Sequence, residues 1–206
     1  MWTSSLAQDL NDCQTYKEAL HQDPIALGRT VVQALQASGQ HRDAFEDYIK
    51  EGNEKGYWET RDNNGNVITC KIDVLQLIQD VKTRWDSVYY MICRLRRLQQ
   101  PIDAFLECLN NKNLKKYKLS QMEWTVPQDF QAILEVPHSA IQALSSESLP
   151  TVCNYLHTFE KFYVDWKRMG ENPDNLRLSP FINKGLEWAD KYYTCMGDTK
   201  AYLISM

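Results

Sequence analysis

The sequence predicts a mainly α-helical protein with one β-hairpin, on three observations. Apolar residues recur at helical spacing in at least six segments. Turn formers are sparse, with eight Gly and seven Pro in 206 residues, too few for the many corners of a sandwich or barrel. A single Asn-Gly pair, Asn64-Gly65, stands between two β-prone runs. With 43% hydrophobic and 11% aromatic residues the chain can bury enough apolar surface to fold. No apolar run approaches the ~20 residues a bilayer span needs, so no membrane partner is expected.

Leu6, Leu10, Cys13 and Leu20 fall near helical spacing and predict a first helix over about 4–20. Asp23-Pro24 restarts the chain, with Asp as N-cap and Pro at the first helical position. Ile25, Leu27, Val31, Val32 and Leu35 supply the apolar side until Ser38-Gly39. A third helix is predicted over about 41–54, with Phe45, Tyr48 and Ile49 on one arc and Asp43, Glu46, Asp47, Glu51 and Glu54 opposite. Gly52 and Gly56 serve as its stop. Tyr57 to Thr60 and Val67 to Ile72 form the hairpin arms. Thr83-Arg-Trp-Asp86 has the form of a capping box and opens a long helix through Gln100, buried along Val88, Met91, Ile92, Leu95 and Leu98. Pro101 makes 102–109 either a bent extension or a new helix. A basic loop, 110–118, precedes helices over about 127–144, interrupted at Pro137, then 150–169 and 180–196, with 170–179 as a linker. The closing segment, 199–206, is apolar and stops in mid-pattern, as expected of a chain cut from something longer.

The formal charge of -4 conceals a segregation. Residues 82–118 hold nine basic and three acidic side chains, a local +6, between segments of -6 and -4. Such a field can contact phosphates; the competing reading is a solvated helix face. The six Cys stand 15 or more residues apart with no Cys-x-x-Cys, giving neither a zinc spacing nor a disulfide scaffold, and read as free, mostly buried thiols. The N-terminus has no basic stretch leading into an apolar one, so secretion is not expected. Phosphate-loop, dinucleotide, nucleophile-elbow and His-Glu-x-x-His motifs are all absent from the sequence. Cys153 and His157, four apart, are the one pair with a nucleophile-base spacing, which chance on a helix explains as well. No enzyme, cofactor or metal site is nominated.

The block Asp80-Val-Lys-Thr-Arg-Trp-Asp-Ser-Val-Tyr-Tyr-Met-Ile-Cys-Arg-Leu-Arg-Arg-Leu98 resembles the Thr-Arg-Trp-Asn/Asp-Ser motif of hAT-family transposases, the Ac-like cut-and-paste elements, in the form fungal members carry. Supporting matches are Ser38 to Phe45 with the Gly52-Asn53 stop, Phe130 to His138, and Gly185 to Tyr193. The resemblance covers 23–206; residues 1–22, expected to be helical, match nothing in it. It implies the helical insertion of a ribonuclease-H-like transposase, truncated at both ends relative to the family. The family's catalytic Asp, Asp and Glu, its BED zinc finger and its dimerisation segment have no counterpart here, and Asp80 and Asp86 are neighbours of the motif rather than matches. Two-metal chemistry needs those carboxylates, so no DNA cleavage is expected. The resemblance implies a nuclear place, with the cytoplasm as the other option. It also places Trp85 on a base near the cleaved end and Arg84 near the DNA backbone. Trp85 lies equally well at the edge of the buried stripe, and both readings stand. Lys82, Arg84, Trp85, Arg94 and Arg97 are the candidate DNA-contacting residues, with Arg94 and Arg97 sharing the polar arc with Tyr90. The expected activity is weak, electrostatic DNA binding. The rivals are a helical protein-interaction module working through exposed apolar surface, and an internal piece of a longer active transposase.

Overall fold

The structure, a computed structural model, describes residues 6–81, 83–145, 151–175 and 177–197. The side chains of residues 6–12, 85, 151–154, 174, 196 and 197 lie outside that description. Among the described residues the protein is mainly helical with one two-stranded hairpin, and the chain divides after Gln128 into two compact units.

The first unit opens with α1 (Leu6–His21), whose buried side is Tyr16 and Ala19. Cys13, expected on that side, is exposed, while Leu6 and Leu10 lie among the undescribed side chains. In α2 (Pro24–Leu35) the predicted cap is present: the Asp23 carboxylate accepts the Ala26 N–H at 3.0 Å, from an unusual left-handed backbone with φ of 52°. Ser38 does not end α2 but caps α3 (Gly39–Lys55), accepting the His41 N–H at 3.1 Å. A single Ser thus makes the break and the restart, which shortens α2 and lengthens α3. Phe45 and Ile49 are buried as expected. The opposite carboxylates form an outer face, with Asp47 and Glu51 paired to Lys50 and Lys55.

Gly52 belongs to the helix rather than its stop. A Cβ there would lie 2.1 Å from Cζ2 of Trp58, so the missing side chain is what seats that buried indole. Gly56 is the true cap, at φ of 70°. The hairpin β1 (Glu59–Arg61) and β2 (Val67–Thr69) is shorter than predicted, pairing Glu59 with Thr69, Thr60 with Ile68 and Arg61 with Val67. Its turn is closed by Asp62, whose carboxylate accepts the N–H groups of Asn64 (2.9 Å) and Asn66 (2.8 Å). In the five-residue loop 62–66 Gly65 takes φ of 83°, a left-handed conformation that glycine adopts without strain. Two side-chain amides act as substitute strands beside this small sheet. Asn53 exchanges both hydrogen bonds with Ile72, at 2.7 and 2.8 Å, and Gln100 does the same with Glu59, at 2.6 and 3.2 Å.

Helix α4 (Trp85–Arg97) starts one residue later than the Thr83 capping box predicts. Its N-cap is Arg84, with no side-chain cap. Instead the Ser87 hydroxyl accepts the Val81 N–H at 2.8 Å and donates toward the Arg84 carbonyl at 2.5 Å, tying the entering chain. The break at Leu98 separates α5 (Gln99–Glu107), where Pro101 sits in the first turn and its missing N–H has no intrahelical partner to lose. Met91, Ile92 and Leu95 from α4, Leu98 at the break, and Ile102 and Leu106 from α5 are 2% exposed or less; with Val31, Val32, Leu35 and Ile49 they form this unit's core. Phe45, Tyr48 and Trp58 pack edge-to-face with one another or with Phe105 at 5.3 to 5.9 Å.

Helix α6 (Gln121–Leu144) begins six residues before the predicted Pro127 and runs through Pro137 without interruption. Ser120 and Glu123 close a reciprocal capping box at its start, 2.7 and 3.3 Å, a sequence signal overshadowed by Pro127. In the second unit α7 (Thr151–Glu171) and α8 (Ser179–Gly197) pack against each other. Their cluster holds Ile133, Trp166, Leu178, Ile182 and Leu186. Pro137 cannot donate to the carbonyl of Ile133, and the Trp166 indole takes that position at 3.0 Å. The close approach of Trp166 again requires a glycine: a Cβ on Gly185 would lie 2.3 Å from its ring. The final segment, 199–206, lies outside the described residues.

Candidate nucleic-acid interface

Between β2 and α4, residues 70–81 form no regular structure, yet they are held along their length. Beyond the Asn53 clamp on Ile72, Asp73 pairs with Arg97 and the Gln76 carbonyl accepts from Arg94 Nη1 at 2.5 Å. The Leu77 carbonyl accepts from Gln36 at 2.5 Å, and Leu77 itself is buried. Asp80 is gripped by a guanidinium fork: Arg29 Nε lies 2.9 and 2.8 Å from its two carboxylate oxygens and Nη2 lies 2.6 Å from Oδ2. The Asp80 carboxylate holds the Arg29 pKa above its ordinary value, against the opposing effect of desolvation. This strap aims the chain into α4 and so positions Arg84.

The five residues expected to touch DNA are therefore distributed over different tasks. Arg97 is engaged with Asp73 and Arg94 with the Gln76 carbonyl. Both are tied to the strap, a use that the polar arc of a helical wheel does not reveal. Arg84 is exposed, with no ion-pair partner among the described residues. Lys82 lies outside the described residues. The backbone of Trp85 opens α4, but its side chain is likewise outside them. Tyr90, on the same helix, is exposed beside Tyr89 at 5.9 Å between ring centroids.

The rest of the positive block lies in the turns that follow α5. Lys118 is spent on Glu107, which holds the Glu107 carboxyl below its ordinary range. Lys112, Lys115 and Lys116 are exposed and have no ion-pair partner among the described residues, Lys116 lying 4.9 Å from the Tyr117 ring centroid. Beside them, between β1 and α5, runs an open cleft of about 530 Å³ lined by Glu59, Arg61, Asp103 and Glu107 among others. Burial pushes the Asp103 carboxyl up, opposed by the Trp124 indole that donates to it at 3.0 Å. The lining has more carboxylates than cations, which suits a phosphate poorly.

No grouping of three or more His, Cys, Asp or Glu among the described residues is placed to hold a metal ion. His157 is exposed, and its sequence partner Cys153 has an undescribed side chain. None of the five described cysteines forms a disulfide, and none is buried: Cys13 and Cys195 are exposed and Cys70, Cys93 and Cys108 half-buried. The expectation of mostly buried thiols fails: on the helices Cys13, Cys93 and Cys195 fall beside the stripes of larger apolar side chains, while Cys70 and Cys108 lie just past the ends of β2 and α5. No described helix is long and apolar enough to cross a membrane.

A family model described as the ZBED1 RNase-like helical domain matches residues 4–133, well over half of the chain and almost all of the first unit. That domain is hAT-related. No curated protein and no solved structure matches the chain.

Proposed function

This chain belongs to the ZBED1 RNase-like helical domain family, and from that premise we propose that it is a catalytically incomplete, hAT-related helical region whose activity is weak, electrostatic binding to DNA in the nucleus. The observation that carries the reading is that the matched residues 4–133 contain the whole +6 block of 82–118, in which Arg84, Lys112, Lys115 and Lys116 remain unpaired among the described residues. Charge that a protein neutralises internally cannot displace counterions from DNA; charge left open can. The fungal type and the role of the Thr-Arg-Trp motif belong to this proposal, with Arg84 on the backbone and Trp85 on a base. The chain has no residues matching the family's Asp, Asp and Glu, so it binds without cutting.

Duplex binding measured by anisotropy from low to physiological salt tests the reading. Affinity should fall linearly on logarithmic axes and weaken in Arg84→Ala, and Mg²⁺ or Mn²⁺ should produce no nicking. Undetectable binding at low salt, or cleavage abolished by mutating an acidic residue of this chain, overturns it. One observation favours a second reading, a protein-interaction role. Trp188 and Tyr192, four apart on α8, are 55% and 65% exposed, with Lys191 4.2 Å above the Trp188 ring. Exposed aromatics of this kind serve as interface anchors.

A further inference from the structure

The chain from Cys108 to Lys118 is not a slack loop. Its backbone makes consecutive three-residue turns: Asn111 N–H bonds the Cys108 carbonyl at 2.9 Å, Leu114 N–H bonds Asn111 at 2.8 Å, and Tyr117 N–H bonds Leu114 at 2.9 Å. Two 3-10 turns, Leu109–Asn111 and Lys115–Tyr117, form part of this run. A three-residue repeat aligns side chains at i and i+3. Burial follows the same period: Cys108, Asn111, Leu114 and Tyr117 are buried or half-buried, while every residue between them is exposed. The buried column is anchored, because the Asn111 amide donates to the Phe105 carbonyl at 2.9 Å and Leu114 is 8% exposed.

The outer columns then have a definite content. One reads Leu109, Lys112, Lys115, Lys118 and the other Asn110, Asn113, Lys116. Leu109 is 83% exposed, more than any other large apolar side chain among the described residues. Lys118 pairs with Glu107, which leaves Lys112, Lys115 and Lys116 as the cations of this run without an ion pair among the described residues, Lys115 adding only its longer-range charge to the field at Glu107. Successive members of a column are about 6 Å apart at 2.0 Å per residue. Phosphates of one strand advance about 3.4 Å per nucleotide along the axis, within reach of flexible lysines at that separation. The polar Asn residues and the apolar Leu109 lie on the same outer surface, where a groove edge would meet them.

We propose that this turn ladder is the element that docks on duplex DNA, with Lys112, Lys115 and Lys116 on the phosphates and Leu109 making an apolar contact in the groove. The inference rests on the DNA-binding reading above and names the part of the positive block that carries it. Arg94 and Arg97 hold the strap instead.

The test is the salt dependence of binding to a labelled duplex by the full chain, its K112A/K115A/K116A variant, Leu109→Ser and Arg84→Ala, each checked for an unchanged circular dichroism spectrum. Since each neutralised phosphate contributes about 0.9 to the slope, the triple variant should lose about two to three units of slope. Leu109→Ser should weaken binding several-fold with the slope unchanged, because an apolar contact releases no counterion. A triple variant with the slope of the unsubstituted chain overturns the proposal, as does a Leu109→Ser affinity equal to that chain's. If Arg84→Ala alone changes the slope, the DNA-binding reading stands and the ladder falls. If the unsubstituted chain binds phosphatidylserine vesicles but no duplex, both fall.

Discussion

Arg29→Met should destabilise the first unit more than Asp80→Ala does, although both break the same ion pair. The side chain of Asp80 is 3% exposed and that of Arg29 is 28% exposed. Removing the guanidinium strands a carboxylate that cannot reach water, and breaking a buried pair in this way costs about 3 to 5 kcal/mol. Removing the carboxylate leaves a guanidinium at the surface that water can solvate. What is lost is closer to a charged hydrogen bond, about 1.5 to 3 kcal/mol. The double variant leaves nothing stranded and should fall well short of the sum, with a coupling of about 1 to 3 kcal/mol. Chemical denaturation of the four proteins measures this cycle, and hydrogen exchange at 72–81 localises it to the strap. Equal losses in the two single variants, or additivity within about 0.5 kcal/mol, would refute the argument that asymmetric burial governs the pair.

Three further outcomes follow from particular contacts. Gly52→Ala and Gly185→Ala each push a methyl against an indole ring, at 2.1 and 2.3 Å, so each should cost at least about 1 to 3 kcal/mol and alter tryptophan emission; unchanged melting would mean that Trp58 or Trp166 shifts freely. Trp166→Phe leaves the Ile133 carbonyl without its donor at a cost of about 1 to 3 kcal/mol beyond the packing change. Pro137→Ala in that background should recover part of it by restoring a helical N–H, as thermal melting would report. The Asp62 carboxyl lies below its ordinary range because Asn66 and the turn amides donate to it. Its support for the hairpin turn is therefore complete above the unfolded carboxylate pKa and lost as pH falls through the lowered folded value, which amide shifts of Asn64 and Asn66 would follow; shifts that move at or above the unfolded value would contradict it.

What could be read in advance was the part governed by local periodicity, and what could not was the part settled by contacts between distant segments. The Asp23-Pro24 opening, the stripe from Met91 to Leu98 and the Asn64-Gly65 turn are each specified within a few residues, and each stands where the pattern put it. At Ser38 the sequence is ambiguous, because a Ser followed by Gly is both a stop and a cap, and only the His41 N–H decides between them. Pro137 is ambiguous in the same way. Pro137 marks a backbone defect in sequence, but the defect is repaired by an indole 29 residues further along, so α6 continues. The basic block shows the principle at the level of function. Counting charge locates a positive region, yet it cannot separate an arginine that holds its own chain from a lysine left open to a partner. Arg97 and Lys118 were committed by Asp73 and Glu107, the first of them across 24 residues. The three-residue period that exposes Lys112, Lys115 and Lys116 together was present in the sequence all along. It was hidden because helix and strand templates look for spacings of four and two, and a run of consecutive 3-10 turns obeys neither.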